Sequence, residues 1–366
     1  MPYTQLANLE FAEIKTALKD YMRAQSDFTD YDFEGSALSQ ILDVMAYNTY
    51  YTAFNTNMVV NELFLDSSTL RDNVVSLAKQ IGYKPQSATA PNATVDLTAT
   101  YSGGGTAPDT FVLQKGTGFV TNFDDVLYQY VTIDDQEVPV VNGVATWSGL
   151  TLYEGTLLNQ SFTINTTLQN QRFVLNNNNL DVSSIRVKVF PSINQTSFKT
   201  YASADNILNL DGTSEVFFVE EIEDENFELF FGDGVFGKKL ENGNVVEVSY
   251  LTTTAGKSNG AKTFTFSGII FEKGNTTAIP YTTSHTTVSA SSGGASAESI
   301  SSIKTSAPKA YASQDRAVTS ADYQSIIKKI YPAVADIITF GGEEDNPPEF
   351  GKVKVAIKPQ NAIALS

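Results

Sequence analysis

The sequence predicts an α+β multidomain chain: a helical N-terminal arm, a β-rich middle of sandwich or barrel type, and a small α/β domain toward the C-terminus. Three observations carry this reading. Apolar residues recur at helical spacing through the first 86 positions, short alternating runs rich in Val, Thr, Phe and Tyr come next, and a capped helix flanked by strand-like runs closes the chain. A length of 366 residues suits two or three domains, divided here as 1–86, 87–292 and 293–366.

In the first region, Phe11, Ile14, Leu18 and Tyr21 lie at helical spacing. A longer segment from Leu38 to about Val60 carries two apolar stripes, one of Leu38, Ile41, Leu42 and Met45, the other of Tyr47, Tyr50, Tyr51, Phe54 and Met58. A helix apolar on more than one face is covered on more than one side, either by its own bundle or by another chain. A third helix is expected from a cap region at Asp66-Ser67-Ser68-Thr69 through Ile81, with Gly82 in the left-handed position that ends it and Pro85 barring continuation.

From about Ser87 the texture changes. Runs such as "ATVDLTATY", "SIRVKVF", "EVFFVEEI" and "VVEVSYLTTT" are broken by Gly, Asn and Pro, the pattern of short strands and turns. The Asn176–Asn179 tract reads as an exposed loop, and "SSGGASA", Ser291 to Ala297, as a linker or hinge. Gly82 to Pro91 is a second hinge candidate. Toward the C-terminus, Ser296 to about Ser302 is a short helix candidate. Thr319 with Asp322 three residues on forms a capping box ahead of Tyr323, Ile326, Ile327 and Ile330, and Pro332 ends that helix. "VADIITF" and "KVKVAIKP" then read as strands. The sequence stops soon after them at "NAIALS", which raises the expectation that the chain continues beyond 366.

Charge limits the partners. The chain holds 24 Lys plus Arg against 41 Asp plus Glu, net −17. Ser87 to Phe230 has 5 basic and 18 acidic side chains, net −13, whereas Gly293 to Ser366 has 8 of each. Binding a polyanion needs a basic footprint, so neither nucleic acid nor an anionic membrane is expected as a partner. Zero Cys excludes disulfides, cysteine-based zinc sites and thiol catalysis together. The start lacks a basic n-region and an apolar h-region, and no run reaches the ~18 apolar residues a membrane span needs, so the expectation is a protein made and kept in a cytoplasm.

One motif imitates a nucleotide site. Gly232, four residues, Gly237 and Lys238 spell most of a phosphate-binding loop, but Lys239 stands where the magnesium-binding hydroxyl belongs. Beyond Lys239, the Asn242-Gly243 pair and then Val245, Val246, Val248 and Tyr250 read as turn and strand rather than the helix whose N-terminus would face the phosphates. Gly232, Gly234, Gly237 and Gly243, and further on Gly256 and Gly260, are therefore turn devices, with Asp233 capping the turn. The lone His285 has no second His or Cys beside it, and the acidic pairs Asp124-Asp125 and Asp134-Asp135 and the run Glu343-Glu344-Asp345 lack the order of a calcium loop. No catalytic, metal or cofactor site is expected, and the chain is read as no enzyme.

Four blocks, in order, carry a resemblance: "SLAKQIGYKP" from Ser76, "FGDGVFGKKLENGNVVEVSYLTTTAGKSNG" from Phe231, "SAPKAYASQDRAVTSADYQSIIKKIYPAVADI" from Ser306 and the closing "GGEEDNPPEFGKVKVAIKP". Together they resemble the baseplate J-like family, in particular wedge subunits of T-even-type contractile phages. Between about 101 and 215 no family signature is found, and a variable insertion is expected there. The resemblance implies a structural subunit of a phage-tail baseplate wedge, with a second copy of itself, other wedge proteins and tail hub or sheath-proximal proteins as partners. It implies a helical core bundle, a ring closed around the hub, rearrangement on contraction, and location in the virion after assembly in the host cytoplasm. Stripe residues Leu38 to Met58 then become candidate interface anchors, since aromatic side chains bury much area with few rotors to freeze. A carbohydrate- or receptor-binding β-rich virion protein is the alternative, suggested by the Thr/Asn/Tyr-rich acidic middle.

Overall fold

A computed structural model describes residues 10–25, 32–168, 171–204, 210–314, 316–331 and 334–359. The architecture is α+β and multidomain, and the chain divides into two compact units. One runs as far as Tyr83 and takes in Ile300–Ala307; the other comprises Lys84–Ser299 and the residues from Pro308 onward.

The first unit is helical: α1 spans Phe11–Arg23, α2 Ala37–Glu62 and α3 Arg71–Gln80, while α4, Ile300–Ser313, contributes its first half. Helix α2 contains neither Gly nor Pro, and the Ser36 hydroxyl caps it by accepting from the Ser39 N–H at 3.0 Å. Its inward stripe is Ser39, Leu42, Ala46, Ala53 and Asn57, mostly small side chains that permit close packing; α1 packs against α2, and Lys15 reaches Asp43 at 2.7 Å. Val74, Val75 and Ala78 of α3 bury with Ile303 and Ala307 of α4. Gly82 takes φ +80 and closes α3 as expected, with the Gly82 and Tyr83 N–H groups donating to Lys79 and Ala78 carbonyls. The cap at the other end of α3 differs from expectation. Its N-cap, Leu70, makes no side-chain cap bond, and the carboxylate of Glu62 at the end of α2 instead fastens the Thr69 and Leu70 N–H groups that lead into the helix.

The second unit is mostly β. Its first strands are Asn92–Tyr101 (β1), Thr110–Leu113 (β2), Gly118–Phe123 (β3), Val126–Val131 (β4), Gln136–Pro139 (β5) and Val144–Glu154 (β6). Next come Thr156–Thr163 (β7), Phe173–Leu175 (β8), Leu180–Phe190 (β9), Lys199–Ser203 (β10), Val216–Glu221 (β11), Phe227–Phe231 (β12) and Val245–Thr252 (β13). The chain then returns through Thr265–Phe266 (β14), Phe271–Glu272 (β15) and Tyr281–Ser292 (β16). Strands β14-β3-β4-β6-β1-β16 form a six-stranded sheet with β15-β2-β5 beside it, and β7-β13-β9-β10-β11-β12-β8 form a seven-stranded one.

Period-two patterning explains the first core. Along β1, Ala93, Val95, Leu97 and Ala99 turn inward to meet Phe111, Phe119, Tyr130, Trp147 and Leu152, each large side chain contributing about 1.5–3 kcal/mol on burial. The second core, built around Leu180, Val187, Phe217, Leu229, Val246 and Val248, lies within the seven-stranded sheet. Because β1 pairs with both β6 and β16, the six-stranded body is closed by segments on either side of 156–252, and the seven-stranded body is an insertion within it.

Two local readings are corrected. Ser291–Ala297 is packed rather than a free linker: Gly294 exchanges hydrogen bonds with the Asn259 amide at 2.9 and 3.1 Å, Ala295 bridges to Thr89, and a Cβ on Gly294 would overlap Pro91. The glycines there serve close backbone approach, not flexibility. The helix expected over Ser296–Ser302 begins instead at Ile300 and runs to Ser313 through Pro308. Toward the C-terminus, α5, Ser320–Ile330, carries the expected capping box of Thr319 and Asp322 and packs on β17, Val334–Gly341, which pairs with β18, Val353–Pro359.

Candidate functional site

The outward faces of α2 are the feature that burial within the unit leaves unexplained. Val44, Tyr47, Tyr51, Phe54 and Met58 succeed one another at steps of three and four residues, the spacing of a coiled-coil seam, and are between 44% and 69% exposed. Ile41, Met45, Val59 and Leu63, also exposed, lie on another flank of the same helix. Lone exposed apolar residues are ordinary, but here they form an apolar stripe along a helix of 26 residues, about 39 Å.

The ring geometry is already set. The Tyr47 and Tyr51 hydroxyls lie 2.9 Å apart with their rings edge to face at 4.7 Å, and Tyr50 meets Tyr51 edge to face at 5.7 Å. That hydrogen bond to Tyr51 is the first cause that raises the Tyr47 hydroxyl above its ordinary range. A pre-ordered aromatic ladder loses little side-chain freedom when a partner covers it.

Not every stripe residue chosen from the sequence faces outward. Leu42 is turned into the unit, and Leu38 and Tyr50 are half-buried; Ile41, Met45, Tyr47, Tyr51, Phe54 and Met58 form the open set. Val44, Val59 and Leu63 were missed, although a seam count at steps of three and four finds Val44.

The end of α2 is fastened to α3 by Glu62. Its carboxylate accepts from the Ser68 hydroxyl at 2.5 Å, the Thr69 N–H and hydroxyl at 2.7 and 2.6 Å, the Leu70 N–H at 3.3 Å and the Asn73 amide at 2.9 Å. Burial alone would raise its pKa, but these donors outweigh it and hold the carboxyl at about 2. The seam is thereby presented on a helix whose exit is fixed.

The glycine-rich segment after β12 is a turn joining extended backbone to extended backbone. Asp233 Oδ1 accepts from the Val235 and Phe236 N–H groups at 2.8 and 2.9 Å, and the Phe236 contact leads in holding its carboxyl below the usual range. Gly234, Gly237 and Gly243 take φ of +96, +90 and +86, and a Cβ on Gly232 would overlap Gly237. No helix springs from Lys238; the next element is β13. Gly256 lies against the Gly294 carbonyl oxygen, and Gly260, at φ +96, donates to the Ser291 carbonyl. Among the described residues no group of three acidic or His side chains is arranged to hold a metal, and no helix is long and apolar enough to cross a membrane. Of the aromatics in the β-rich unit, Trp147, Tyr128 and Tyr130 are buried, whereas Phe198, Phe230 and Phe236 are exposed.

These features define a multidomain α+β chain that presents one long helix with open apolar flanks. Its kind is given by its domains. Residues 10–83 match the helical domain of gp6-like baseplate wedge proteins, 161–259 match the third domain of the bacteriophage baseplate wedge protein gp6, and 319–366 match C-terminal domain I of the baseplate structural protein gp6. Three separate segments of the chain, in order, are thus similar to domains of gp6-like baseplate wedge proteins. The third-domain match coincides with the inserted seven-stranded body and reaches into the stretch where no signature was read from sequence. The baseplate wedge protein gp6 of Enterobacteria phage T4 is 24% identical over 379 residues, covering 97% of this chain and 54% of that protein. The chain therefore spans about half the length of the curated relative it matches. A cryo-EM structure of the anti-feeding prophage baseplate aligns over 91% of this chain and 67% of the other, with 12% identity and a TM-score of 0.29.

Proposed function

We propose that the chain is a non-enzymatic structural subunit of the baseplate wedge of a contractile tail, located in the virion, and that the open faces of α2 are where it joins its neighbours. Those neighbours are a second copy of the chain and other wedge proteins, through which it is held in a ring around the tail hub; the kinship with baseplate J-like proteins belongs to the same proposal. The observation that carries it is the pair of apolar flanks on α2, which ask for partners on two sides and suit the centre of a bundle rather than its edge. The domain matches supply the context and support a baseplate role.

Tyr51→Asp with Phe54→Asp tests it. Both side chains are exposed in the chain alone, so its stability should change by less than about 1 kcal/mol, monitored by circular dichroism. Self-association in light scattering and co-purification with co-expressed wedge neighbours should be lost, because a charge buried in an apolar seam is left unpaired. Unchanged assembly would refute the role given to the helix.

A further inference from the structure

We propose that the six-stranded and seven-stranded bodies of residues 84–299 are clasped into one rigid lever, so that their junction is a weld and not a hinge. Strand β6 runs into β7 with Gly155 alone between them. The Gly155 N–H donates to the Gln129 carbonyl at 2.9 Å, its φ is +127, and a Cβ would overlap the Thr252 carbonyl oxygen, so outgoing and returning chains touch through bare backbone.

Two carboxylates, each 2% exposed, grip across this point. Glu154, the last residue of β6, accepts from the Thr253 hydroxyl at 2.5 Å and from the Thr254 N–H and hydroxyl at 3.0 Å, where the chain comes back from β13. Asp181 of β9 accepts from the Ala90 N–H at 2.8 Å in the lead-in to β1, beside a bond from the Val182 N–H to the Ser87 hydroxyl. A third grip comes from the turn between β2 and β3, where Lys115 reaches Glu247 at 3.0 Å, Ser249 at 2.9 Å and Asn159 at 3.3 Å. Arg186 of β9 meets Asp134 at 3.4 Å. Ala90, Val131 and Leu251 bury between these groups.

Contacts to the insertion come from three separate stretches of the host body, 87–90, 115 and 131–134, so rotating the insertion strips several at once. Buried carboxylates without their donors are costly, which makes partial opening unfavourable and the joint all-or-none. The clasp is a property of the isolated chain and does not depend on its assembly into a wedge.

Because the chain has no Cys, nitroxide labels at Leu127→Cys and Ile193→Cys, both exposed, report one distance between the bodies of the full chain. Pulsed electron-spin measurements should give a single narrow distribution, broadened when Lys115→Ala is combined with Thr253→Val. A broad or two-peaked distribution in the chain carrying only the labels would overturn the proposal. So would a narrow one left unchanged by both substitutions when Trp147 fluorescence shows the variant folded.

Discussion

Replacing Glu62 by Gln removes one charge and keeps the shape, so it isolates what the carboxylate does between α2 and α3. Holding a carboxyl at about 2 against an ordinary 4.5 corresponds to at most about 3.4 kcal/mol, at about 1.36 kcal/mol per tenfold change in proton affinity. The group is only partly withdrawn from water, and screening reduces this to about 1–2 kcal/mol. The sign is that of a depressed pKa: the stabilisation is complete above about pH 4.5 and fades as pH falls toward 2. Wild type and Glu62→Gln should therefore differ most near neutrality and converge in acid. Hydrogen exchange across residues 64–80 reads this directly, since the Thr69 and Leu70 N–H groups are bonded to the carboxylate itself. Faster exchange in the variant near pH 6, lost near pH 2, is the expected result. Equal exchange at both would show that Glu62 does not hold the lead-in to α3.

Other perturbations test the remaining elements. Leu97→Ala empties a position directly across from Trp147 and should cost about 2–5 kcal/mol, seen as an earlier loss of Trp147 fluorescence in urea. Gly232→Ala places a methyl group on the Gly237 backbone and should destabilise the turn by about 2 kcal/mol or more, with faster exchange along β12. Thr319→Ala removes the capping hydroxyl of α5 and should cost about 1 kcal/mol, measured by exchange at residues 320–327. The partner carboxyl Asp322 is held low first by its bond from the Thr319 N–H, so its share of the cap should weaken as pH drops into the carboxylate range.

What was legible in the sequence was local. The 3.6-residue period of α2, the left-handed Gly82, the Thr319–Asp322 box and the turn chemistry of Gly232 to Gly243 each involve neighbours a few residues apart, and each is found where the spacing puts it. What was not legible depends on distant partners. Nothing near Leu70 announces that its N–H is held by Glu62, and Gly293-Gly294 has a linker's composition because small residues also suit a strand end that must approach Pro91 and Ala255. The nesting of one β body in another is likewise written only in pairings such as Val95 with Thr287, nearly two hundred positions apart. For α2, the aromatic spacing was visible, but the inward turn of Leu42 needed the packing of the whole helical unit.

That nesting places Thr156 and Thr252, the first and last residues of the inserted sheet, directly opposite each other as cross-strand neighbours. A module whose two ends meet at one spot can change in size at its far end without displacing the host strands, provided that the grips on Ala90, Lys115 and Asp134 beside the junction are kept. Relatives that differ here in length would keep the same outer frame, and a tag or reporter domain grafted between Gly155 and Thr253 has a natural seat.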